Sequence, residues 1–121
     1  MSDTNFHGKK GEDITADFLR KNGFIIFKRN YHSRYGEIDI IAQKDDLLLF
    51  VEVKTRSEDA LVSPAEAVDY NKQSKIKLTA ADFLRKTKSD FKCRFDVSEV
   101  TVKTSQDGFK YSIKYVDDAF V

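Results

Sequence analysis

Two acids stand inside runs that are otherwise apolar. In Gly36-Glu37-Ile38-Asp39-Ile40-Ile41-Ala42 the interruption is Asp39, and in Phe50-Val51-Glu52-Val53-Lys54 it is Glu52, followed by Lys54. Charges are costly inside apolar strands unless they are paired, solvated or bound to metal. Strand side chains alternate faces, which puts Glu37, Asp39 and Ile41 on one side of their strand and Phe50, Glu52 and Lys54 on one side of theirs. If Asp45-Asp46 are the two loop residues of a hairpin, Lys44 pairs with Leu47. Counting outward then sets Asp39 opposite Glu52 and Glu37 opposite Lys54. Directly opposed strand residues have Cβ atoms roughly 4.5–5.5 Å apart, close enough for two carboxylates to grip one cation. A four-residue loop keeps that register, whereas a three-residue loop moves the acids to opposite faces.

Neighbouring carboxylates repel unless a proton or a cation is shared between them. Mg²⁺ accepts one or two carboxylates while keeping waters and substrate phosphate oxygens. A bound metal lowers the pKa of its water and stabilises charge on a phosphoryl group. Lys54, on the face of Glu52, is placed to orient the attacking water or neutralise the oxyanion. The acid, acid and lysine together match what phosphodiester hydrolysis needs. Glu12 is a third acid. On a helix it shares a face with Ala16, Leu19 and Gly23, beside the inward stripe and within reach of the sheet; the plainer reading is a first-turn glutamate favoured by the helix dipole.

Periodicity supplies the elements that must hold these residues. Gly8 to Asn22 reads as a helix with Asn22-Gly23 as its stop. Phe24–Lys28, Glu37–Ala42 and Leu47–Thr55 read as strands, with Arg29–Tyr35 a basic, aromatic loop between the first two. Ser63-Pro64-Ala65-Glu66 reads as a capping box opening a second helix that runs to about Lys86, with Val68, Ile76, Ala80 and Phe83 inward. Phe91–Val102 is strand-like, with a change of phase and hence a bend expected near Ser98-Glu99. Phe109, Tyr111, Ile113 and Tyr115 alternate after a turn at Gln106-Asp107-Gly108. The expected class is α/β, a mixed sheet flanked by helices in the order αβββαββ.

A chain of 121 residues suits one domain, here expected over 1–121, and its 40% hydrophobic content excludes a disordered polymer. Its longest apolar run, Leu47–Val51, is strand-sized and far short of a bilayer span. The start Met1-Ser2-Asp3-Thr4-Asn5 lacks signal-peptide character, and a single cysteine, Cys93, cannot form an internal disulfide. These features point to a cytoplasmic chain with no membrane partner. Cys93, between Phe91 and Phe95 at strand spacing, reads as core filler. His7 and His32 have no spacing partners for zinc. A net charge of +1 does not by itself select a polyanion, but local cations can. Lys9, Lys10, Arg29, Arg34, Arg56 and Lys72 are the candidate phosphate contacts, and Tyr31, within Arg29–Tyr35, the candidate for stacking on an unpaired base. For that segment a solvated connection is an equal reading, and most lysines of the second helix read as solvated surface.

The pattern Gly11-Glu12, then Gly36-Glu37-Ile38-Asp39-Ile40-Ile41, then Phe50-Val51-Glu52-Val53-Lys54-Thr55-Arg56 resembles the YraN-like family. Lys72-Gln73, Arg94-Phe95-Asp96-Val97 and Asp118-Ala119-Phe120 extend the resemblance over nearly the whole chain. The family resembles a branch of the PD-(D/E)xK nuclease superfamily, near the archaeal-type Holliday-junction resolvases. The resemblance implies a restriction-endonuclease-like core with Mg²⁺ or Mn²⁺ as cofactor. It implies Asp39 and Glu52 as metal ligands, the backbone carbonyl of Val53 as a further ligand, Lys54 as the catalytic lysine, and Glu12 as an acid assisting the metal or water. The superfamily's usual proline is missing, since Ile38 precedes Asp39. Glu37 is open between pairing with Lys54 and sitting at the strand edge, Gln73 between facing the site and being solvated, and Asp96 reads as a structural anchor. The expected function is metal-dependent endonucleolytic cleavage of nucleic acid, DNA and in particular branched DNA of repair or recombination, with a homodimer suggested by analogy alone. The alternatives are a non-catalytic nucleic-acid-binding accessory on the same fold, and a protein–protein adaptor whose acids only stabilise the hairpin.

Overall fold

The computed structural model describes residues 3–59, 68–87 and 90–121. Helix α1 (Asp3–Lys21) leads into strands β1 (Ile25–Ser33), β2 (Gly36–Lys44) and β3 (Leu47–Ser57), followed by helix α2 (Tyr70–Thr87) and strands β4 (Lys92–Ser105) and β5 (Gly108–Phe120). This is the α/β order αβββαββ expected from the sequence. The five strands form one mixed sheet in the order β1-β2-β3-β4-β5, with β3 and β4 parallel and every other pair antiparallel. A parallel pair cannot be joined by a tight turn, and α2 belongs to the β3–β4 crossover.

The helices cover opposite faces. Ala16 and Leu19 of α1 bury against Ile40, Ala42, Leu49 and Val51. Ile76, Ala80 and Phe83 of α2 bury against Ile41, Leu48, Phe50 and Val97. Helix α1 starts five residues earlier than expected and stops where expected, because Gly23 takes a left-handed φ of 89°. Its N–H reaches Arg20 O and that of Phe24 reaches Leu19 O, which closes the orphan carbonyls. Helix α2 is shorter than expected. Asp69 caps it, its carboxylate accepting Lys72 N–H at 2.8 Å. Val68 and Asp69 are not helical although Val68 is buried, and the capping box at residues 63–66 lies outside the described residues.

Arg29–Ser33 is not loop. It continues β1 to a two-residue turn, Arg34-Tyr35, with Ser33 paired to Gly36. A polar segment reads as a connection, but β1 is an edge strand and needs little apolar cover. The β2–β3 hairpin closes with Lys44 paired to Leu47 around Asp45-Asp46, the expected register, and Asp45 takes a φ of 55°. No phase change occurs at Ser98-Glu99; β3 and β4 pair without a break from Leu47–Lys92 to Ser57–Val102. The polar residues there, Asp96 and Ser98, are simply buried. The irregularity lies between Phe95 and Val97 against β5, where Asp118 takes a φ of 52°. Cys93 is exposed rather than core; strand alternation gave its side of the sheet, not its cover.

Candidate active site

The β2–β3 ladder runs from Lys44–Leu47 to Ile40–Val51 and goes no further. At that end the Asp39 carboxylate takes the place of a backbone acceptor, receiving Val53 N–H at 2.7 Å. The regular alternation assumed for β2 breaks here. Ile38 and Ile41 both pack on the α2 side while Ile40 packs on the α1 side. β1 makes the matching switch, since Arg29 meets α1 and Tyr31 meets α2. Between them Asn30 takes a φ of 53°, a conformation that asparagine tolerates better than most residues. Asp39 therefore stands at the point where two strands change face together.

Glu52, on the α2 side with Phe50, is 6% exposed. Its carboxylate and that of Asp39 are within hydrogen-bonding reach of each other. Burial first, and then the charge of Glu52, push the Asp39 carboxyl up to about 8, against the pull of the Val53 N–H. Lys72, in the first turn of α2, places Nζ 2.8 Å from Glu52 Oε2. That bond holds the Lys72 ammonium above its ordinary range. Glu12 approaches from α1, close enough for its charge to raise Asp39 further. Gly11 makes that approach possible: a Cβ there would run into the Thr55 Oγ1 of β3. Thr15 completes the seam, donating to Gly11 O and sharing a 2.7 Å hydrogen bond with Ser98 Oγ.

The structure thus brings Asp39, Glu52 and the Val53 backbone together, with Glu12 near enough to act on Asp39 through its charge. Lys54 lies two residues beyond Glu52, on the same strand face by alternation, half-buried and without an ion pair among the described residues. Glu37 does not meet Lys54, because β2 and β3 have parted before that level; it is exposed and pairs with His32 at 3.1 Å. Gln73 is half-buried, donates to Val68 O, and lines a small cavity with Val97 and Glu99.

The other cations divide. Lys9 and Lys10 are exposed on α1, Arg56 is half-buried on β3, and Arg34 is exposed at the β1–β2 turn. Arg29 is spent on Asp13 at 2.9 Å and Glu12 at 3.4 Å. Tyr31 is not free to stack on a base, since its hydroxyl donates to Asp82 at 2.7 Å and its ring meets Phe83 edge-on. Asp96 is the anchor its sequence context suggested. Fully buried, it accepts from Arg94 Nε and Nη2, from the Tyr115 hydroxyl and from Asp118 N–H.

A family model described as uncharacterised protein family UPF0102 matches residues 11–100. A UPF0102 protein of Dictyoglomus thermophilum is 49% identical over 114 residues, covering 93% of this chain and 95% of its own length. Others from Clostridium botulinum strain 657 and Rhodococcus opacus are each 43% identical, covering 93% of this chain and 92% and 94% of theirs. The chain belongs to UPF0102. The YraN-like resemblance and this assignment agree. None of these relatives' names states an activity. The matched segment of the UPF0102 chain opens at Gly11, the residue that lets α1 close on β3, and includes the acid pair and the Arg94–Asp96 anchor.

Sequence reading undervalued one member of the site. Among the described residues, the cation touching the Asp39–Glu52 pair of this UPF0102 protein is Lys72, not Lys54. The sequence marks Lys72 as a candidate phosphate contact and by its place beside Gln73 in the family pattern, but not as the partner of Glu52, which is twenty residues away across a crossover that no local period reveals.

Proposed function

We propose that this UPF0102 protein is a metal-dependent endonuclease acting on DNA. One observation carries the reading: Asp39 and Glu52 meet at the frayed end of a ladder, where burial and mutual repulsion make a shared positive charge favourable. The donors suit a hard cation. A strand residue's N–H and C=O point the same way, so the Val53 carbonyl faces the gap its N–H shares with Asp39. Among the described residues no three carboxylate, imidazole or thiol groups converge to hold a cation unaided. In this reading the chain would offer two carboxylates and a carbonyl and leave the ion's other positions to water and substrate, as Mg²⁺ and Mn²⁺ accept.

When bound, the ion supplies a water of lowered pKa and a counter-charge for the phosphoryl oxygens. The chain's own residues do the rest. Asp39 must give up its proton to become a ligand. Glu52 must release Lys72, whose ammonium is then free for a substrate phosphate. The unpaired Lys54 amine is the donor for the attacking water or a non-bridging oxygen. Glu12, held by Arg29, would assist from the α1 side of the gap.

The test is cleavage of branched, nicked and single-stranded DNA by purified protein in Mg²⁺ or Mn²⁺. Asp39→Ala and Glu52→Ala should abolish cutting with circular dichroism unchanged; cutting that survives either substitution overturns the reading. The rival, a non-cutting DNA-binding accessory, is favoured by the Lys72–Glu52 bond, which lets the site stand without metal. It requires that wild-type protein bind DNA and never cut it, and that Asp39→Ala leave binding intact or tighter.

A further inference from the structure

Helix α2 continues past the site along the β1–β2 hairpin, and its facing residues recur at helical spacing: Lys72, Lys75, Thr79, Asp82 and Lys86. Lys72 holds Glu52. Lys75 lies against Gly36, where a Cβ would sit 3.6 Å from its own. Thr79 shares a 2.9 Å hydrogen bond with Ser33 Oγ. Beyond them a groove of about 670 Å³ opens between the Arg34-Tyr35 turn and the last turns of α2.

Three cations rim this groove. Arg34 is exposed, its Nη2 donating to Tyr35 Oη at 2.9 Å and its guanidinium 5.0 Å above the Tyr35 ring. Arg85 and Lys86 reach it from α2, with side chains 72% and 62% exposed. The one carboxylate in the lining, Asp82, is largely buried beneath them and also holds Tyr31, so it fixes the cations' positions more than it cancels their charge. Leu78 and Ala81 give the floor an apolar strip. Cationic rims over an apolar floor suit a sugar–phosphate backbone.

We propose that this groove, continued through Lys75 and Lys72, seats the phosphodiester backbone of a DNA duplex arm that leads to the Asp39–Glu52 pair. The inference rests on the nuclease reading and names where its substrate runs. Lys72 and Lys86 are separated by about 21 Å along α2 at 1.5 Å per residue, which corresponds to about six base pairs at 3.4 Å per step.

The test is fluorescence anisotropy with a labelled nicked DNA duplex, over 50–200 mM salt and without divalent metal so that nothing is cut. Each lost phosphate contact lowers the slope of log affinity against log salt by about 0.9. Arg34→Ala/Arg85→Ala/Lys86→Ala should therefore lose about 2.7 of slope and at least about tenfold in affinity at the lower salt. Stabilisation by Mn²⁺, read as a thermal shift, should be unchanged. Lys103→Ala/Lys110→Ala, at the β4–β5 hairpin, should keep the wild-type slope. If the triple variant does not fold, Arg34→Gln alone should lose about 0.9. Binding should strengthen as the arm lengthens to about six base pairs and then level off.

Unchanged slope in the groove variants overturns the groove and leaves the active site standing. An equal loss in the Lys103/Lys110 control, or tighter binding of the same sequence as an RNA duplex, overturns it as well. Wild-type protein that binds no DNA overturns both readings.

Discussion

Asp39 and Asp96 lie on the two strands that flank β3, Asp96 paired with Val51 and Asp39 one residue past Ile40, the partner of Val51 on the other side, and their surroundings are opposite. Asp96 faces an arginine fork, a tyrosine hydroxyl and a backbone N–H, so both of its oxygens are filled. Burial, and then the bond to Asp96, keep Tyr115 protonated far beyond its ordinary range. Asp39 has one N–H and a second carboxylate for company. A buried acid that is satisfied holds a fold together. One that is short of positive charge, as Asp39 is, marks a candidate site.

Removing each acid should expose that contrast. Asp96→Ala leaves the Arg94 guanidinium and the Tyr115 hydroxyl without their partner, and should cost about 3–5 kcal/mol, a Tm fall on the order of 10–20 °C. Tyr115→Phe removes one charge-assisted bond and should cost about 1.5–3 kcal/mol by denaturant melt. Gly11→Ala forces α1 off β3 at Thr55 and should cost about 1–3 kcal/mol. Because Thr55 Oγ1 is buried with no hydrogen-bond partner among the described residues, Thr55→Ala should be neutral or mildly stabilising and should recover much of the Gly11→Ala loss in the double variant.

Asp39→Asn should lower Tm at neutral pH not at all. Its signature is pH dependence. Folded Asp39 keeps its proton up to about 8, whereas the unfolded carboxyl loses it near 3.8. Between those values the native state binds the extra proton, so stability falls as pH rises through that window. The wild-type Tm should drift down from pH 5 to pH 8 relative to Asp39→Asn, and the two should run parallel below pH 4. Saturating Mn²⁺ should reverse the drift, since the ion displaces that proton and gains most where protons are scarce. A Mn²⁺-induced thermal shift that does not grow with pH, or that persists in Asp39→Asn, breaks the comparison.

What the sequence displayed best was local. The Lys44–Leu47 turn fixed the hairpin, and with it the meeting of Asp39 and Glu52, because a two-residue connection leaves one register. The helix stop at Gly23 was equally legible. What it hid depends on distant partners. Polar Arg29–Ser33 forms a strand because an edge position asks for little burial. Asp69 caps α2 at a place that no capping pattern in the sequence marked. The face switch at Asp39 needs Asn30 of the neighbouring strand. Glu37 meets His32 directly across the Arg34-Tyr35 turn, a pair hidden once Arg29–Tyr35 reads as loop, and Lys72 meets Glu52 across twenty residues that no period of two or 3.6 records.

The spatial order of the strands is also their order along the chain. Every neighbour pair but one is a hairpin, so most pairing closes short loops, and β3–β4 alone must wait for a long one. Glu12, Asp39 and Glu52 all belong to the early, locally closed half, while Lys72 arrives with the crossover. Pulse-labelled hydrogen exchange during refolding should find amides of β1–β3 protected before those of β4. The Asp39–Glu52 pair would then form on the early hairpin, before the far half of the sheet is in place.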